Sequence, residues 1–285
     1  MHVSIGYAYL LLSVNLMCGL AGVLGSRGKI NKTLCMAMNH ALEHRGPDAQ
    51  GMWEDNEVGI ALTHRRLSIV DLSPAGAQPM HSHDGRWVLA FNGEIYNHQA
   101  MRAELGKAGR NLWRGHSDTE VLLEGMAYWG IEAALLRCSG MFALALWDRQ
   151  TRTLTLARDR MGEKPLYVGR VDSDIVFGSE LRALRQHPAW RHAVEPKALA
   201  WMLETGYVPA PWSIHPGVFK LPAGCMLQLR GLADWPDDAH AFGQRVHHYW
   251  RLPDEIDKAR HAPWTGTRAE ALSEVQKLLG DSVRQ

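Results

Sequence analysis

Cysteine is scarce in this sequence, and neither sign of charge is in excess. The four cysteines, at positions 18, 35, 138 and 225, form no C-x-x-C pair, which excludes a dense disulfide framework and favours a reducing compartment. Lysine and arginine number 31 against 30 aspartate and glutamate, so the chain lacks the basic excess of a nucleic-acid-binding protein. No repeat of solenoid period is present. These absences leave an ordinary globular chain of 285 residues, which we expect in the cytoplasm.

Charges are also missing from residues 3–26, a run long enough for a membrane helix. Only His2 precedes the run, so the basic region of a signal peptide is absent, and no small-residue cleavage site is evident. If the protein begins at Met17, the apolar run shrinks to residues 19–24, the length of a strand. We therefore expect residues 1–17 to be an over-extended start or a leader, with a membrane anchor as the alternative.

Hydrophobic periodicity predicts an α+β fold in which groups of strands are separated by helices. Helices are predicted at residues 31–41, 98–107, 119–129, 196–205 and from 267 onward. Strands are predicted at residues 19–24, 51–53, 58–63, 67–70, 87–91, 142–147, 153–157, 166–169 and 175–177. Residues 234–248 are predicted to be a polar, irregular insertion, and Thr267 with Glu270 matches a helix capping box.

Cys18 stands directly behind Met17 and in front of an apolar run. If Cys18 were the first residue, its thiol, of pKa about 8.5, would lie beside an α-amine of pKa about 7.7 to 8.0. Near neutral pH such an amine is partly unprotonated and can accept the thiol proton, so one residue would supply both nucleophile and base. The structural alternative is a small buried cysteine in a strand.

Asn92 and Gly93 lie between apolar and aromatic flanks, a pattern typical of a hairpin turn. The functional alternative is that the Gly93 N–H and the Asn92 side-chain amide are two donors that hold an oxyanion. Arg66 and Asp118 offer one cation and one anion, which suit the zwitterionic head of an amino acid.

Residues 40–44 match the H-x-x-E-H pattern of inverted zinc peptidases. Gly46-Pro47 ends the predicted helix directly after His44, where two metal ligands would need a rigid turn. We therefore expect no metal site here.

Seven short motifs occur in order along the chain: CGLAG at 18–22, HRGPD at 44–48, RLSIVD at 66–71, NGEIYN at 92–97, SDTE at 117–120, RDRMGEKPLY at 158–167 and FGSEL at 177–181. Together they resemble the glutamine amidotransferase domain of the glutamine-hydrolysing asparagine synthetases. The resemblance covers residues 18–229. Tyr249, Trp250 and residues 267–285 resemble the connection into the synthetase domain of that family.

The resemblance implies an N-terminal nucleophile hydrolase fold, a four-layer αββα sandwich of two antiparallel sheets between helices. It implies that Cys18 attacks the side-chain amide of glutamine while its own α-amine moves the proton. Asn92 and the Gly93 N–H would stabilise the oxyanion. The implied glutamine-binding residues are Arg66 at the α-carboxylate, Asp118 and Glu94 at the ammonium, and Leu67, Ser68, Ile69 and Val70 along the pocket.

This sequence departs from the family in two respects. Residues 1–17 precede Cys18 and would block its α-amine, so we expect the chain as written to be inactive. The Ser-Gly-Gly phosphate loop of the synthetase half does not occur. We therefore expect ATP and Mg²⁺ only in a missing synthetase domain, and no cofactor or metal in this chain.

The resemblance also predicts how the chain is organised and what it contacts. Residues 18–230 would form the amidotransferase domain, and residues 231–285 an insertion and a helical linker into a truncated asparagine synthase domain. The expected partners are glutamine and that following domain, without nucleic acid or membrane, and a homodimer is left open. Two alternatives stay open for function: amidation of another carboxylate, such as a sugar acid of a surface polysaccharide, or a non-catalytic binding module.

Overall fold

Two antiparallel sheets, each of six strands, form the centre of the fold in a computed structural model that describes residues 17–25, 30–68, 71–191, 193–236 and 238–284. The strands are β1 (Gly19–Leu24), β2 (Ala49–Asp55), β3 (Ile60–Arg66), β4 (Met80–His81), β5 (Trp87–Ile95), β6 (Gly140–Asp148), β7 (Thr153–Arg158), β8 (Tyr167–Val171), β9 (Asp174–Gly178), β10 (Val218–Lys220), β11 (Cys225–Leu229) and β12 (His247–His248). The first sheet has the order β10-β8-β9-β1-β3-β2, and the second β12-β11-β7-β6-β5-β4.

Helices cover the outer faces of both sheets. The helices of the described residues are α1 (Lys32–His40), α2 (His98–Lys107), α3 (Asp118–Trp129), α4 (Ile131–Arg137), α5 (Leu181–Leu184), α6 (Pro196–Thr205), α7 (Ala239–Arg245), α8 (Leu252–His261) and α9 (Arg268–Arg284). Buried residues of α1 and α5 pack on the first sheet, and buried residues of α2, α3 and α4 pack on the second. The layers therefore follow the order helix, sheet, sheet, helix, which confirms the predicted αββα sandwich.

Strand β1 shows why the sequence favours a sheet buried on both faces. All six of its residues are buried. Leu20 and Leu24 belong to the core between the two sheets, whereas Ala21 and Val23 belong to the core under α1 and α5. Alternate residues of a strand point to opposite faces, so a continuous apolar run is what a doubly covered strand requires.

The strand predicted at residues 67–70 is wrong at Leu67 and Ser68. Strand β3 ends at Arg66, and Leu67 and Ser68 lie outside any strand, while residues 69 and 70 lie outside the described part of the chain. Side chains take the backbone donors that a sheet ladder would need. The Leu67 N–H donates to the Cys18 sulfur, and the Ser68 N–H donates to a carboxylate oxygen of Asp48.

The hairpin turn considered at Asn92 and Gly93 is also wrong. Strand β5 runs through both residues and pairs Asn92 with Ala143 and Gly93 with Phe142 on β6. Glycine is needed there for space, because a Cβ on Gly93 would overlap the Met141 carbonyl oxygen and the backbone of Phe142. The Asn-Gly pair therefore marks a close approach between two strands.

The irregular insertion predicted at residues 234–248 contains regular structure. Helix α7 lies there, and β12 pairs with β11 at the edge of the second sheet. Phe242 of α7 is fully buried in the core, with its ring centroid 4.4 Å from that of Phe219. Phe242 is the one large apolar residue of α7, so the sequence has no hydrophobic periodicity that would indicate this helix.

The C-terminal capping box is confirmed. Thr267 Oγ1 accepts from the Glu270 N–H at 3.3 Å, and Glu270 Oε2 accepts from the Thr267 N–H at 2.8 Å, directly before α9. The apolar stripe of α9 is exposed, with Leu279 62% accessible. That α9 leads into another domain stays a prediction.

No helix in the described ranges is long and apolar enough to cross a membrane. The alternative membrane helix at residues 3–26 lies largely outside those ranges. Its residues 19–24 form strand β1.

A histidine joins the two sheets. His64, on β3 of the first sheet, is 1% exposed, and its Nε2 lies 2.8 Å from the carbonyl oxygen of Phe91 on β5 of the second. Because the carbonyl can only accept, His64 donates from Nε2. Burial lowers the pKa of His64 to about 4, so the ring is neutral near physiological pH.

We predict that the free energy of unfolding falls as the pH is lowered from about 6.5 to about 4. His64 takes up a proton more readily once unfolding exposes it, because its folded pKa of about 4 lies below the value of 6.5 for the free side chain. The difference corresponds to about 3 kcal/mol, lost across that window. Urea unfolding at several pH values measures the slope. A His64→Gln variant should show a clearly smaller slope, and an unchanged slope would contradict the assignment.

Candidate active site

The thiol of Cys18 lies at the start of β1, against the chain that leaves β3. The Leu67 N–H donates to Sγ at 3.3 Å, and the thiol reaches the Leu67 carbonyl oxygen at 3.5 Å. Burial raises the pKa of the Cys18 thiol, and the Leu67 N–H and the Arg66 guanidinium oppose that rise. A thiol with a raised pKa is a weak nucleophile unless a base takes its proton.

Arg45 fixes the backbone of Cys18. Its Nε donates to the Cys18 carbonyl oxygen at 3.1 Å, and its Nη1 donates to Glu180 Oε1 at 2.8 Å. Burial would raise the pKa of Glu180, but its bonds from Arg45 and His44 hold that pKa below its usual range. The HRGPD and FGSEL motifs therefore contact each other next to the Cys18 backbone.

Asp48, the last residue of HRGPD, places the segment after β3. Its N–H donates to the Arg66 carbonyl oxygen at 3.1 Å, and its carboxylate accepts from the Ser68 N–H at 2.8 Å. Sequence reasoning named neither Arg45, Asp48 nor Glu180 as a site residue. Their only signal was membership of the motifs, since Arg45 and Asp48 bond the backbone of named residues and Glu180 bonds the Arg45 side chain.

A cavity opens in front of the thiol. Of the residues predicted for the site, the structure brings seven to its lining: Cys18, Arg66, Leu67, Asn92, Gly93, Glu94 and Asp118. Ser68 is not in the lining, and Ile69 and Val70 lie outside the described residues. The lining also contains residues that sequence reasoning missed: Met17, Asp71, Gly76, Gln78, Phe91, Ser117, Thr119 and Lys164.

The outer edge of β5 directs a backbone donor into this cavity. The Phe91 N–H donates to Gln78 Oε1 at 2.6 Å, and the Ile95 N–H donates to Asp118 Oδ2 at 2.8 Å. Alternate residues of a strand direct their N–H groups to the same edge, so the Gly93 N–H lies between these two and faces the same way. Phe142, which lies opposite Gly93 on β6, supports this direction, because its N–H and its carbonyl oxygen both bond Asp159, away from β5.

Asn92 supplies a second donor. Asn92 lines the cavity, and its side-chain Nδ2 is buried without a hydrogen-bond partner among the described residues. A buried unpaired amide N–H costs free energy, about 1–3 kcal/mol, unless a ligand satisfies it. Two donors thus converge on the cavity that contains the thiol.

Opposite charges line the same cavity. The Arg66 guanidinium donates to the carbonyl oxygens of Ser73 and Asp71, which fixes its position beside the thiol. Asp118 accepts from two backbone N–H groups, those of Ile95 and Thr119, and burial raises the pKa of its carboxyl. One fixed cation and one fixed carboxylate match the two charges of an α-amino acid.

The H-x-x-E-H residues do not converge on a metal. His40 pairs with Glu43 at 3.1 Å, whereas His44 pairs with Glu180 at 3.0 Å. Across the described ranges, no group of three or more His, Cys, Asp or Glu side chains is arranged to hold a metal ion.

The family of glutamine amidotransferase domains matches residues 17–235 of this sequence. The chain belongs to this glutamine amidotransferase family. The match covers most of the chain, including every residue of the cavity, and it confirms the resemblance that the seven motifs indicated.

Curated relatives carry the name of a larger enzyme. A putative glutamine-hydrolysing asparagine synthetase of Mycobacterium bovis is 35% identical over 231 residues, which are 75% of this chain and 35% of that protein. Glutamine-hydrolysing asparagine synthetase 2 of Bacillus subtilis is 36% identical over 280 residues, 94% of this chain and 35% of that protein. The chain therefore spans about a third of the length of these two relatives.

Solved structures show the same fold. The glutamine phosphoribosylpyrophosphate amidotransferase of B. subtilis superposes with a TM-score of 0.55 at 19% identity, covering 74% of this chain and 47% of that one. An allosteric regulatory enzyme of purine biosynthesis gives a TM-score of 0.57 at 18% identity, covering 82% and 49%. Both support the two-sheet fold of this amidotransferase domain.

We predict that Gly93→Ala lowers the free energy of unfolding by about 1–3 kcal/mol, because the added methyl group meets backbone atoms of β6 that cannot move away. Urea unfolding measures the change. Gly243→Ala is the matched control, since a Cβ there meets open space on α7. The control should be unchanged or slightly more stable, and equal stability of Gly93→Ala would show that β5 has room at this position.

Proposed function

We propose that this amidotransferase domain hydrolyses the side-chain amide of glutamine and releases ammonia. The observation that carries the proposal is the convergence of the Cys18 thiol, the unpaired Asn92 amide and the edge donor of Gly93 on one cavity. A thiol nucleophile opposite two fixed donors is the arrangement that acyl transfer requires.

Cys18 is the nucleophile. Its sulfur attacks the amide carbon of glutamine, and the thiol proton passes to the α-amine of the same residue. The carbonyl oxygen becomes an oxyanion that accepts from Asn92 Nδ2 and the Gly93 N–H. The amine returns the proton to the leaving nitrogen, ammonia departs, and water then cleaves the glutamyl thioester to glutamate.

The charged lining holds the head of the substrate. Arg66 binds the α-carboxylate of glutamine, while Asp118 and Glu94 bind its ammonium group. Leu67 contacts the aliphatic part of the substrate, and we propose that Ile69 and Val70 extend this wall. The two ends of glutamine are thereby fixed, so the amide carbon is presented to the thiol.

The base in this mechanism exists only if Cys18 is the first residue. Met17 lines the cavity, and its sulfur lies 2.7 Å from Lys164 Nζ. With Met17 attached, the nitrogen of Cys18 is an amide and cannot accept a proton. We propose that the active form lacks all residues ahead of Cys18.

The names of the relatives suggest where the ammonia goes. We propose that residues 18–230 are the ammonia-producing domain of an asparagine synthetase and that residues 231–285 lead into a synthetase domain. That domain would amidate aspartate with ATP and Mg²⁺, and it would be the principal partner of this one. We also propose a cytoplasmic location, and a homodimer is left open.

We predict that a protein starting at Met17, from which the initiator methionine is removed, releases glutamate from glutamine. The free α-amine is then present, and every strand and helix of the described fold is retained, because β1 begins at Gly19. Cys18→Ala in that protein should abolish the activity. The 285-residue form should have little activity, and full activity with residues 1–17 intact by mass spectrometry would contradict the free-amine mechanism.

We predict that Arg66→Met in the same shortened protein raises KM for glutamine by about 10- to 100-fold, the range expected for a lost bond to a charged group. The decisive comparison uses 4-aminobutanamide, which lacks the α-carboxylate. The unmodified site should strongly prefer glutamine, and Arg66→Met should remove most of that preference. A preference that survives the substitution would place the carboxylate elsewhere.

A further inference from the structure

The edge of β5 opposite β6 is only partly covered by a strand. Within the described residues, β4 pairs with Leu89 and Val88, and no strand pairs with residues 90–95 on that edge. Side chains take the backbone groups instead. Gln78 accepts from the Phe91 N–H, Asp118 accepts from the Ile95 N–H, and His64 lies against the Phe91 carbonyl oxygen.

His64 differs from the other two because it comes from the sheet that carries the nucleophile. It pairs with Leu20 of β1, two residues after Cys18, and it precedes Arg66 by two residues on β3. Its backbone is fixed in turn, since its own carbonyl oxygen accepts from Asn39 Nδ2 at 3.1 Å. The bond from His64 Nε2 to Phe91 therefore spans the two sheets next to the site.

We propose that His64 is a positioning residue of the amidotransferase site, whose bond to the Phe91 carbonyl oxygen fixes the oxyanion donors Asn92 and Gly93 relative to Cys18. This inference rests on the proposed glutamine hydrolysis. The inference adds to the proposed hydrolysis a residue outside the cavity on which the rate depends.

The peptide group explains how His64 acts on the donors. The Phe91 carbonyl and the Asn92 nitrogen belong to one planar unit, so a bond to that oxygen fixes the plane from which Asn92 departs. The Asn92 side chain and the Gly93 N–H follow within one residue. A misplacement of about 1 Å in such a constellation can cost about 100-fold in rate.

Two substitutions that differ by one methylene test the bond. The amide nitrogen of glutamine can reach the position of Nε2, whereas that of asparagine reaches only as far as Nδ1. In the protein starting at Met17, we expect His64→Asn to lower kcat about 10- to 100-fold with KM within about 3-fold. His64→Gln should retain kcat within about 5-fold. Equal kcat in the two variants would overturn the proposal.

His215→Leu is the matched control for a lost histidine bond. His215 is also buried and bonds a backbone carbonyl, that of Ala193 at 2.9 Å, but it lies outside the cavity lining. It should leave kcat unchanged even if unfolding becomes easier. A loss of kcat in His215→Leu as large as in His64→Asn would mean that stability alone explains the effect, and it would overturn the proposal.

A double-mutant cycle with Asn92→Ala shows whether His64 acts through the oxyanion donors. If it does, His64→Asn should cost much less in kcat when Asn92 is already absent, and additive losses would contradict the proposal. Alkylation of Cys18 by iodoacetamide forms no oxyanion, so its rate should be equal in His64→Asn and the parent. An inactive parent protein would instead refute glutamine hydrolysis, which separates the two failures.

Discussion

The uncovered edge of β5 is the constraint on which the site depends. A sheet edge presents backbone groups that must be satisfied, and here side chains from three different segments bond the Phe91 N–H, the Ile95 N–H and the Phe91 carbonyl oxygen. Gln78 and Asp118 flank the Gly93 N–H on either side. The fold therefore produces a fixed donor at the cavity without a dedicated loop.

The buried thiol of Cys18 requires a base that takes its proton. Burial raises the pKa of the Cys18 thiol, so the proton must be taken by a neighbour. Asp118 is poorly suited, because two backbone N–H groups already occupy its oxygens. An α-amine on Cys18 itself lies within reach of the thiol by covalent geometry. The proposed mechanism therefore depends on where the mature chain begins.

Much of the fold could be predicted from the sequence, and so could seven of the fifteen residues that line the cavity. Strand β1 and helices α2 and α6 occur at the predicted residues, because local sequence signals rather than distant contacts decide them. The strand prediction failed at Leu67 and Ser68 because other side chains bond their backbone N–H groups. The turn prediction failed at Asn92 because two strands approach closely there. The end of β3 depends on the Cys18 sulfur and Asp48, both distant in sequence. Likewise Arg45 and His64 bond the backbones of other residues and Glu180 bonds the Arg45 side chain, so their roles become visible only when the contacts are known.

The most direct test of the account is the mass of the enzyme during turnover. A protein whose first residue is Cys18 would be mixed with glutamine, quenched in acid before the first turnover is complete, and examined by intact and peptide mass spectrometry. The account predicts an added glutamyl group on the Cys18 peptide that hydroxylamine removes. Conversion of glutamine to glutamate without any adduct on Cys18, or with the adduct on another residue, would contradict it.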